Sequence, residues 1–228
     1  MSPGELYGEL PGHGRALFTG RAHGNLSSVG GDGAEHGERA RERLRALLGV
    51  ERLARGYQVH GSVVTRVTAP PPGEQAAGAS VEADGQATAL AGVATMVLVA
   101  DCLPVALGRR GAVAMIHAGW RGLAAGVLEE GVRALEELGG ADEIVAIVGP
   151  CAGVCCYEVG PEVHAAFAGA HHDRCHIDLR AIAHERLLGA GAAEVRDVDA
   201  CTICDERFFS HRREGARAGR QAGVAWLS

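Results

Sequence analysis

Residues 93–128 read VATMVLVADCLPVALGRRGAVAMIHAGWRGLAAGVL, and the rest of the chain is organised around them. Two apolar runs, 94–100 and 112–116, have the length and the Val, Met and Ile content of buried strands. Each run leads into a reactive side chain: Cys102, preceded by Asp101, after the first, and His117 after the second. His117 opens into Ala-Gly-Trp-Arg-Gly, and an amphipathic segment continues to about Leu138. Two strand ends beside a glycine-rich helix entry predict an α/β arrangement in which a thiol and an imidazole meet. The same residues also suit two core strands with a buried cysteine, since free cysteine is among the most often buried residue types.

Composition narrows the classes of function. The chain has 228 residues, 47% of them hydrophobic but only 4% aromatic, so its core must be aliphatic and alanine-rich. A formal charge of −6 without any basic block argues against nucleic acid or an anionic membrane as the main partner. Arginine supplies the positive charge and suits a local phosphate pocket. The N-terminal MSPGELYGELPGHG has no apolar core of a signal peptide, and no apolar run reaches the roughly 18 residues of a membrane span. A cytoplasmic location is expected. Seven cysteines, an odd number, argue against a secreted disulfide framework. No linker or repeat interrupts the chain, so a single domain over residues 1–228 is expected.

Along the chain, residues 15–19 predict a first strand, and Asp32 with Glu35 resembles a capping arrangement for a helix. Ala40, Leu44, Leu47 and Leu48 carry that helix to a stop at Gly49. Residues 57–67 alternate and predict a strand with Tyr57, Val59, Val63, Thr65 and Val67 on one face and His60 on the other. Residues 68–79 read as a loop, and 80–91 as a small, polar segment with a turn at Asp84-Gly85. One helix follows His117 up to Gly139-Gly140, then a strand over 143–148. A cysteine-bearing loop spans 151–160 and a helix starts at 161–167. Asp178 caps a helix to Leu188, and late strands cover 194–198 and 224–227.

His60, Cys102 and His117 make up a His₂Cys set, the composition of a catalytic zinc site that keeps a fourth position for water or substrate. Their intervals, 42 and 15 residues, form no short metal signature. Cys201-Thr-Ile-Cys204 is a CxxC, a pattern that can be half a zinc site or a redox motif, but without a second CxxC or a downstream histidine pair it reads as thiols near a turn. Cys151, Cys155 and Cys156 read likewise. Arg121, at a helix start, suits an anion such as phosphate, although a surface arginine is the ordinary alternative. His211-Arg212-Arg213 is a second basic cluster able to close over a phosphate, or a solvated turn.

Several stretches together resemble one family. They are Gln58-Val59-His60-Gly61, Ala100-Asp101-Cys102-Leu103-Pro104, His117-Ala118-Gly119-Trp120-Arg121-Gly122, Gly149-Pro150-Cys151 and Cys155-Cys156-Tyr157-Glu158-Val159-Gly160. Cys201-Thr202, Phe208-Phe209-Ser210-His211-Arg212-Arg213 and Gly219-Arg220-Gln221-Ala222 complete the set. In this order, over most of the chain, they resemble the YfiH-type laccase-domain (polyphenol oxidase) family, whose members are described as purine nucleoside phosphorylases. The resemblance implies a YfiH-like α/β (α+β) domain with layered mixed β-sheets flanked by helices. It implies zinc on His60, Cys102 and His117, with copper the lesser candidate. It also implies a purine nucleoside and phosphate as partners, phosphorolysis of adenosine, inosine and methylthioadenosine, and adenosine deamination as a side activity. Family residues that bind substrate map to Arg21 and Asn25. Val29 stands where the family often has histidine, and Cys204 lies outside the family pattern.

On this reading Arg121, with Arg21, gathers phosphate, the His211-Arg212 cluster can close over it, and Asp101 orients a group beside Cys102, relays a proton or caps a turn. Three rivals stand beside it. A metal-free Cys102–His117 pair is the nucleophile and base of a hydrolase, including one that edits peptidoglycan precursors. Copper oxidase chemistry uses paired H-x-H segments, and none of the 11 histidines is so spaced. A metal-stabilised scaffold calls for a closed set of four ligands. A monomer or small homo-oligomer is expected.

Overall fold

The computed structural model describes residues 6–72, 81–167 and 175–228. Residues 1–5 and 73–80 of the expected N-terminal and loop segments lie outside them. The chain begins with a hairpin of β1 (Leu6–Leu10) and β2 (Gly14–Phe18), the first of which the sequence reading did not anticipate. Helix α1 (Gly37–Leu48) ends at Gly49 in the left-handed conformation, as expected. The Asp32–Glu35 capping arrangement does not form: a 3₁₀ turn at Ala34–His36 intervenes, and no side chain caps α1. Ala40 and Leu44 are buried, whereas Leu47 turns to solvent.

After β3 (Arg52–Ala54), the alternating stretch 57–67 yields a strand only at β4 (Val64–Val67). Tyr57, Val59 and Val63, expected on an apolar face, are exposed. The backbone of Val59 and Gly61 instead turns its N–H groups onto a buried carboxylate, and that hydrogen bonding replaces a ladder there, while Tyr57 keeps a single bridge to Glu82. The supposed turn at Asp84-Gly85 is the entry to β5 (Gly85–Thr88). The two decisive apolar runs are β6 (Val93–Val99) and β8 (Ala112–Ala118), with an unanticipated strand, β7 (Leu103–Arg109), between them. The segment after His117 splits into α2 (Trp120–Ala124) and α3 (Val127–Leu138), because Gly126 is left-handed at φ 89°. The remainder comprises β9 (Ile144–Val148), α4 (Pro161–Ala166), α5 (Leu179–Gly189), β10 (Ala192–Asp197), α6 (His211–Glu214) and β11 (Gln221–Leu227). Asp178 does cap α5, accepting the Ala181 N–H at 3.0 Å.

Two mixed sheets result, ordered β1-β2-β11-β6-β3 and β10-β9-β7-β8-β5-β4. Period-two alternation sorts their residues into layers. Phe18, Val97 and Val99 of the first sheet pack on Val113, Met115 and Ile147 of the second. The first sheet's other face, with Leu17, Met96 and Val224, takes Ala40 and Leu44 of α1. The second sheet's other face, with Leu107 and Ile116, takes Leu128, Val132 and Leu135 of α3 and Leu187 of α5. The chain is thus a mixed α/β fold of two sheets flanked by helices. No helix among the described residues is long and apolar enough to cross a membrane.

Candidate functional site

β6 and β8 lie in different sheets, so the two reactive strand ends meet across the interface between sheets. His117 shares the parity of Val113 and Met115 and therefore faces the first sheet. Antiparallel pairing of β7 with β8 sets Leu103 opposite Ala118 and Pro104 opposite His117, which places Cys102 beside the end of β8. His60 arrives from the loop before β4. Its Nε2 lies 3.8 Å from Cys102 Sγ, and its ring centre lies 4.8 Å from that of His117. The donor atoms of His60, Cys102 and His117 all fall within 4.8 Å of one another. Zinc bonds of about 2.0–2.3 Å put tetrahedral neighbours roughly 3.3–3.8 Å apart, so this donor set fits the ion.

One carboxylate organises the cluster. Asp84, fully buried, accepts the backbone N–H groups of Val59, His60 and Gly61 at 3.1, 2.9 and 2.7 Å. It also accepts the Nδ1–H of His117 at 2.7 Å, which turns the Nε2 of that ring toward Cys102 and His60. His60 itself sits at φ 59° and Asp101 at φ 87°, two of the three left-handed non-glycine residues among those described. Such strain gathers where the surroundings over-determine a site. Gly119 closes the cluster: a Cβ there would stand 2.6 Å from His60 Cδ2 and 3.2 Å from Cys102 Sγ.

Charge follows from this geometry. Burial opposes ionisation of Cys102, but His117 and His60 outweigh it and bring the thiol down to about 6. Burial likewise disfavours the His117 cation, yet the Cys102 thiolate and Asp84 raise it to about 9. Asp84 is driven up by burial and more strongly down by His117 and the backbone donors, so it stays ionised. The metal-free cluster is therefore a thiolate–imidazolium pair over a fixed carboxylate.

The cluster opens on a cleft of about 840 Å³ between the loop 27–29, α2, Tyr157 and α6. Five arginines line it, Arg41, Arg55, Arg121, Arg212 and Arg220, on a chain whose net charge is −6. Arg121 lies with its guanidinium 4.3 Å over the Trp120 ring, and Arg212 lies 4.7 Å over Tyr157. α2 is a single short turn, so Arg121 rather than a helix N-terminus supplies the positive charge expected there. His211 also lines the cleft, with Nδ1 donating to Gly215 O at 3.1 Å.

Arg21 and Asn25 lie elsewhere than expected. The Arg21 guanidinium is paired with Glu214, bonded to the carbonyls of Glu206 and Phe208, and stacked 4.5 Å over Phe209. Asn25 is buried, donating to Gly30 and Asp32 carbonyls and accepting from the Ser27 and Arg220 N–H groups. Neither lines the cleft; both hold its walls. Asp101 reaches the cleft, but its oxygens accept from Thr202 Oγ1 at 2.6 Å and the Arg212 N–H at 2.8 Å. The carboxylate that orients a ligand of the cluster is Asp84, which the sequence reading missed because an Asp-Gly pair signals a turn. Tyr157 and Trp120, also missed, give the cleft its aromatic surfaces.

A family model described as multi-copper polyphenol oxidoreductase laccase matches residues 13–228. A protein of Xylella fastidiosa named purine nucleoside phosphorylase is 41% identical over 95% of this chain and 88% of its own length. The purine nucleoside phosphorylase YfiH of Escherichia coli is 36% identical over 89% of this chain and 86% of its own. Among solved structures, a Neisseria meningitidis protein superposes with a TM-score of 0.85 at 32% identity, over 99% of both chains. YlmD of Geobacillus stearothermophilus superposes with a TM-score of 0.84 at 29% identity, over 94% of this chain and 92% of its own.

Proposed function

This chain belongs to the multi-copper polyphenol oxidoreductase laccase family, and from that premise we propose that it is a zinc-dependent purine nucleoside phosphorylase. Adenosine, inosine and methylthioadenosine are its substrates on this reading, with adenosine deamination as a side activity. The observation that carries the proposal is a His₂Cys donor set opening on an arginine-lined cleft. Three protein donors leave a corner of a tetrahedron for water or substrate, the pattern of catalytic rather than structural zinc. The names of the relatives supply the reaction class.

His60, Cys102 and His117 would hold the ion. Zinc, when bound, supplies a Lewis acid and a water acidic enough to ionise near neutrality. The chain's own residues do the rest. Arg121, Arg212 and His211 gather phosphate by charge-assisted hydrogen bonds at the cleft. Trp120 and Tyr157 bring apolar ring surface against the purine, with their cation partners already stacked on them. Phosphate then displaces the base at the anomeric carbon, and the base departs with the electrons of the glycosidic bond. Asp101 acts as a positioning residue, fixing the backbone of Arg212 through its N–H.

The test is base release from adenosine by the purified protein, with and without phosphate, alongside its metal content. Phosphate-dependent adenine release with matching formation of ribose 1-phosphate, abolished in Cys102→Ala, is expected. Hydrolysis of an amide by the metal-free protein would instead assign the Cys102–His117 pair to a thiol hydrolase. Phenol oxidation that requires copper would assign the family's older chemistry.

A further inference from the structure

A second cluster of metal-ligating side chains lies apart from His60, Cys102 and His117 and takes no part in the proposed reaction. We propose that Cys155, Cys156, Cys201 and Cys204 form a closed structural site that holds zinc through four thiolates. Their sulfurs lie within 4.8 Å of one another. Cys204 Sγ stands 3.6 Å from Cys155 Sγ and 2.9 Å from Cys156 Sγ. Four sulfurs about 2.3 Å from one ion have edges of roughly 3.8 Å, so adjustments within about an ångström complete the tetrahedron. A disulfide needs sulfurs about 2.05 Å apart, and none of these pairs is that close.

The residue order suits such a site. Cys201-Thr202-Ile203-Cys204 is a CxxC turn, and the missing half comes from the loop at 155–156, some 45 residues earlier, rather than from another CxxC. Backbone bonds bring the two together: Cys151 N–H donates to Ala200 O at 3.3 Å, and Thr202 N–H donates to Cys151 O at 2.9 Å. Cys201 Sγ receives the Gly153 N–H at 3.2 Å. Thiol sulfur is a poor acceptor, so a backbone amide aimed at it marks a place built for thiolate. Nor is the cluster ordinary core, because Cys155 and Cys204 are exposed while Cys151 is the buried thiol.

Four protein ligands leave no position for substrate, which makes the role structural. What the ion would brace is the wall of the cleft. The Thr202 hydroxyl donates to Asp101 at 2.6 Å, Arg213 donates to the carbonyls of Thr202 and Ile203, and Tyr157 directly follows Cys156. Sequence spacing could not show this, since neither half is a metal signature alone.

Zinc content of the full-length protein, purified under reducing conditions, tests the assignment separately from the cleft. In a Cys102→Ala background, which disables the cleft cluster, one zinc per chain is expected, and none once Cys201→Ser and Cys204→Ser are added. Cobalt loaded into the same background should show intense thiolate-to-cobalt charge transfer that disappears with those two serines. Should the triple variant not fold, the Cys102→Ala protein still decides. A chelator should release one zinc and expose four additional reactive thiols on peptide mapping. A folded serine variant with undiminished zinc would overturn the proposal. So would a Cys156–Cys204 disulfide in metal-free protein, or chelator-insensitive reactivity of all four thiols.

Discussion

Asp84 and His117 are joined twice: the His117 backbone N–H donates to the Asp84 carbonyl at 2.6 Å, and its Nδ1–H donates to the carboxylate at 2.7 Å. The same carboxylate holds the backbone of the loop that bears His60. One side chain therefore sets both imidazoles of the cluster, although it contributes no donor to it. Asp84→Asn keeps the size but presents an amide N–H₂ where backbone N–H donors converge. Partners of this kind are worth about 10- to 100-fold in metal affinity, so the zinc Kd should rise by that factor. Competition against a chromogenic chelator measures it. A lowered Tm with unchanged zinc affinity would reduce Asp84 to a loop clamp.

Cys102 offers a readout in the metal-free chain. Its neighbouring imidazoles hold the thiol at about 6, well below the ordinary cysteine range, so the thiolate persists as pH falls from 9 to about 6 and is lost only below that. His117, raised to about 9, remains cationic over the same window and loses its charge above it. Alkylation of Cys102, followed by peptide mapping, should be flat between about pH 7 and 9 and fall about tenfold per unit well below 6. Added zinc should protect the residue. A midpoint near 9 would show that the ion pair does not form.

Much of this was legible beforehand, for identifiable reasons. β6 and β8 announce themselves as apolar runs, and Cys102 and His117 stand at their ends. β7 hides because Pro104 and Gly108 look like loop residues, yet both are accommodated within its ladder. Gly108 is needed, because a Cβ there would stand 2.6 Å from Leu10 Cβ. Asp84 was misread because a local Asp-Gly signal outweighs partners 23 to 33 residues away, which no pattern along the chain records. Residues 57–63 alternate like a strand, but the N–H groups of Val59, His60 and Gly61 satisfy that carboxylate instead of a ladder. Arg21 and Asn25 came from resemblance alone, and their hydrogen bonds place them in the walls of the cleft.

The arginines divide by what already holds them. Arg121 is stacked on Trp120 at the cleft, and Arg212 is stacked on Tyr157 with one nitrogen donating to Glu158 O at 2.6 Å. Hydrogen bonds to charged groups are worth about 1.5–3 kcal/mol, so Arg121→Ala or Arg212→Ala should raise the KM for phosphate about 10- to 100-fold. Arg21→Ala should leave that KM unchanged and lower Tm, because Glu214 loses one of its two arginine partners. Steady-state kinetics at varied phosphate distinguishes them. Equal effects from Arg21 and Arg121 would place the anion elsewhere.

Gly119 provides the sharpest steric test. Its backbone, φ −71° and ψ 163°, is open to any residue, so alanine costs the chain no backbone strain. The added methyl would nevertheless lie 2.6 Å from His60 Cδ2 and 3.2 Å from Cys102 Sγ, and with the His60 backbone held by Asp84 the ring itself must swing away from the cluster. Gly119→Ala should therefore lose zinc from this cluster and phosphorolysis together, with circular dichroism unchanged. Gly126 is the counterpart. At φ 89° alanine is strained by about 1–2 kcal/mol, yet its Cβ would meet Glu129 no closer than 3.6 Å. Gly126→Ala should lower Tm and keep full zinc occupancy. If Gly119→Ala instead retains zinc and activity, His60 is not held where the metal requires it.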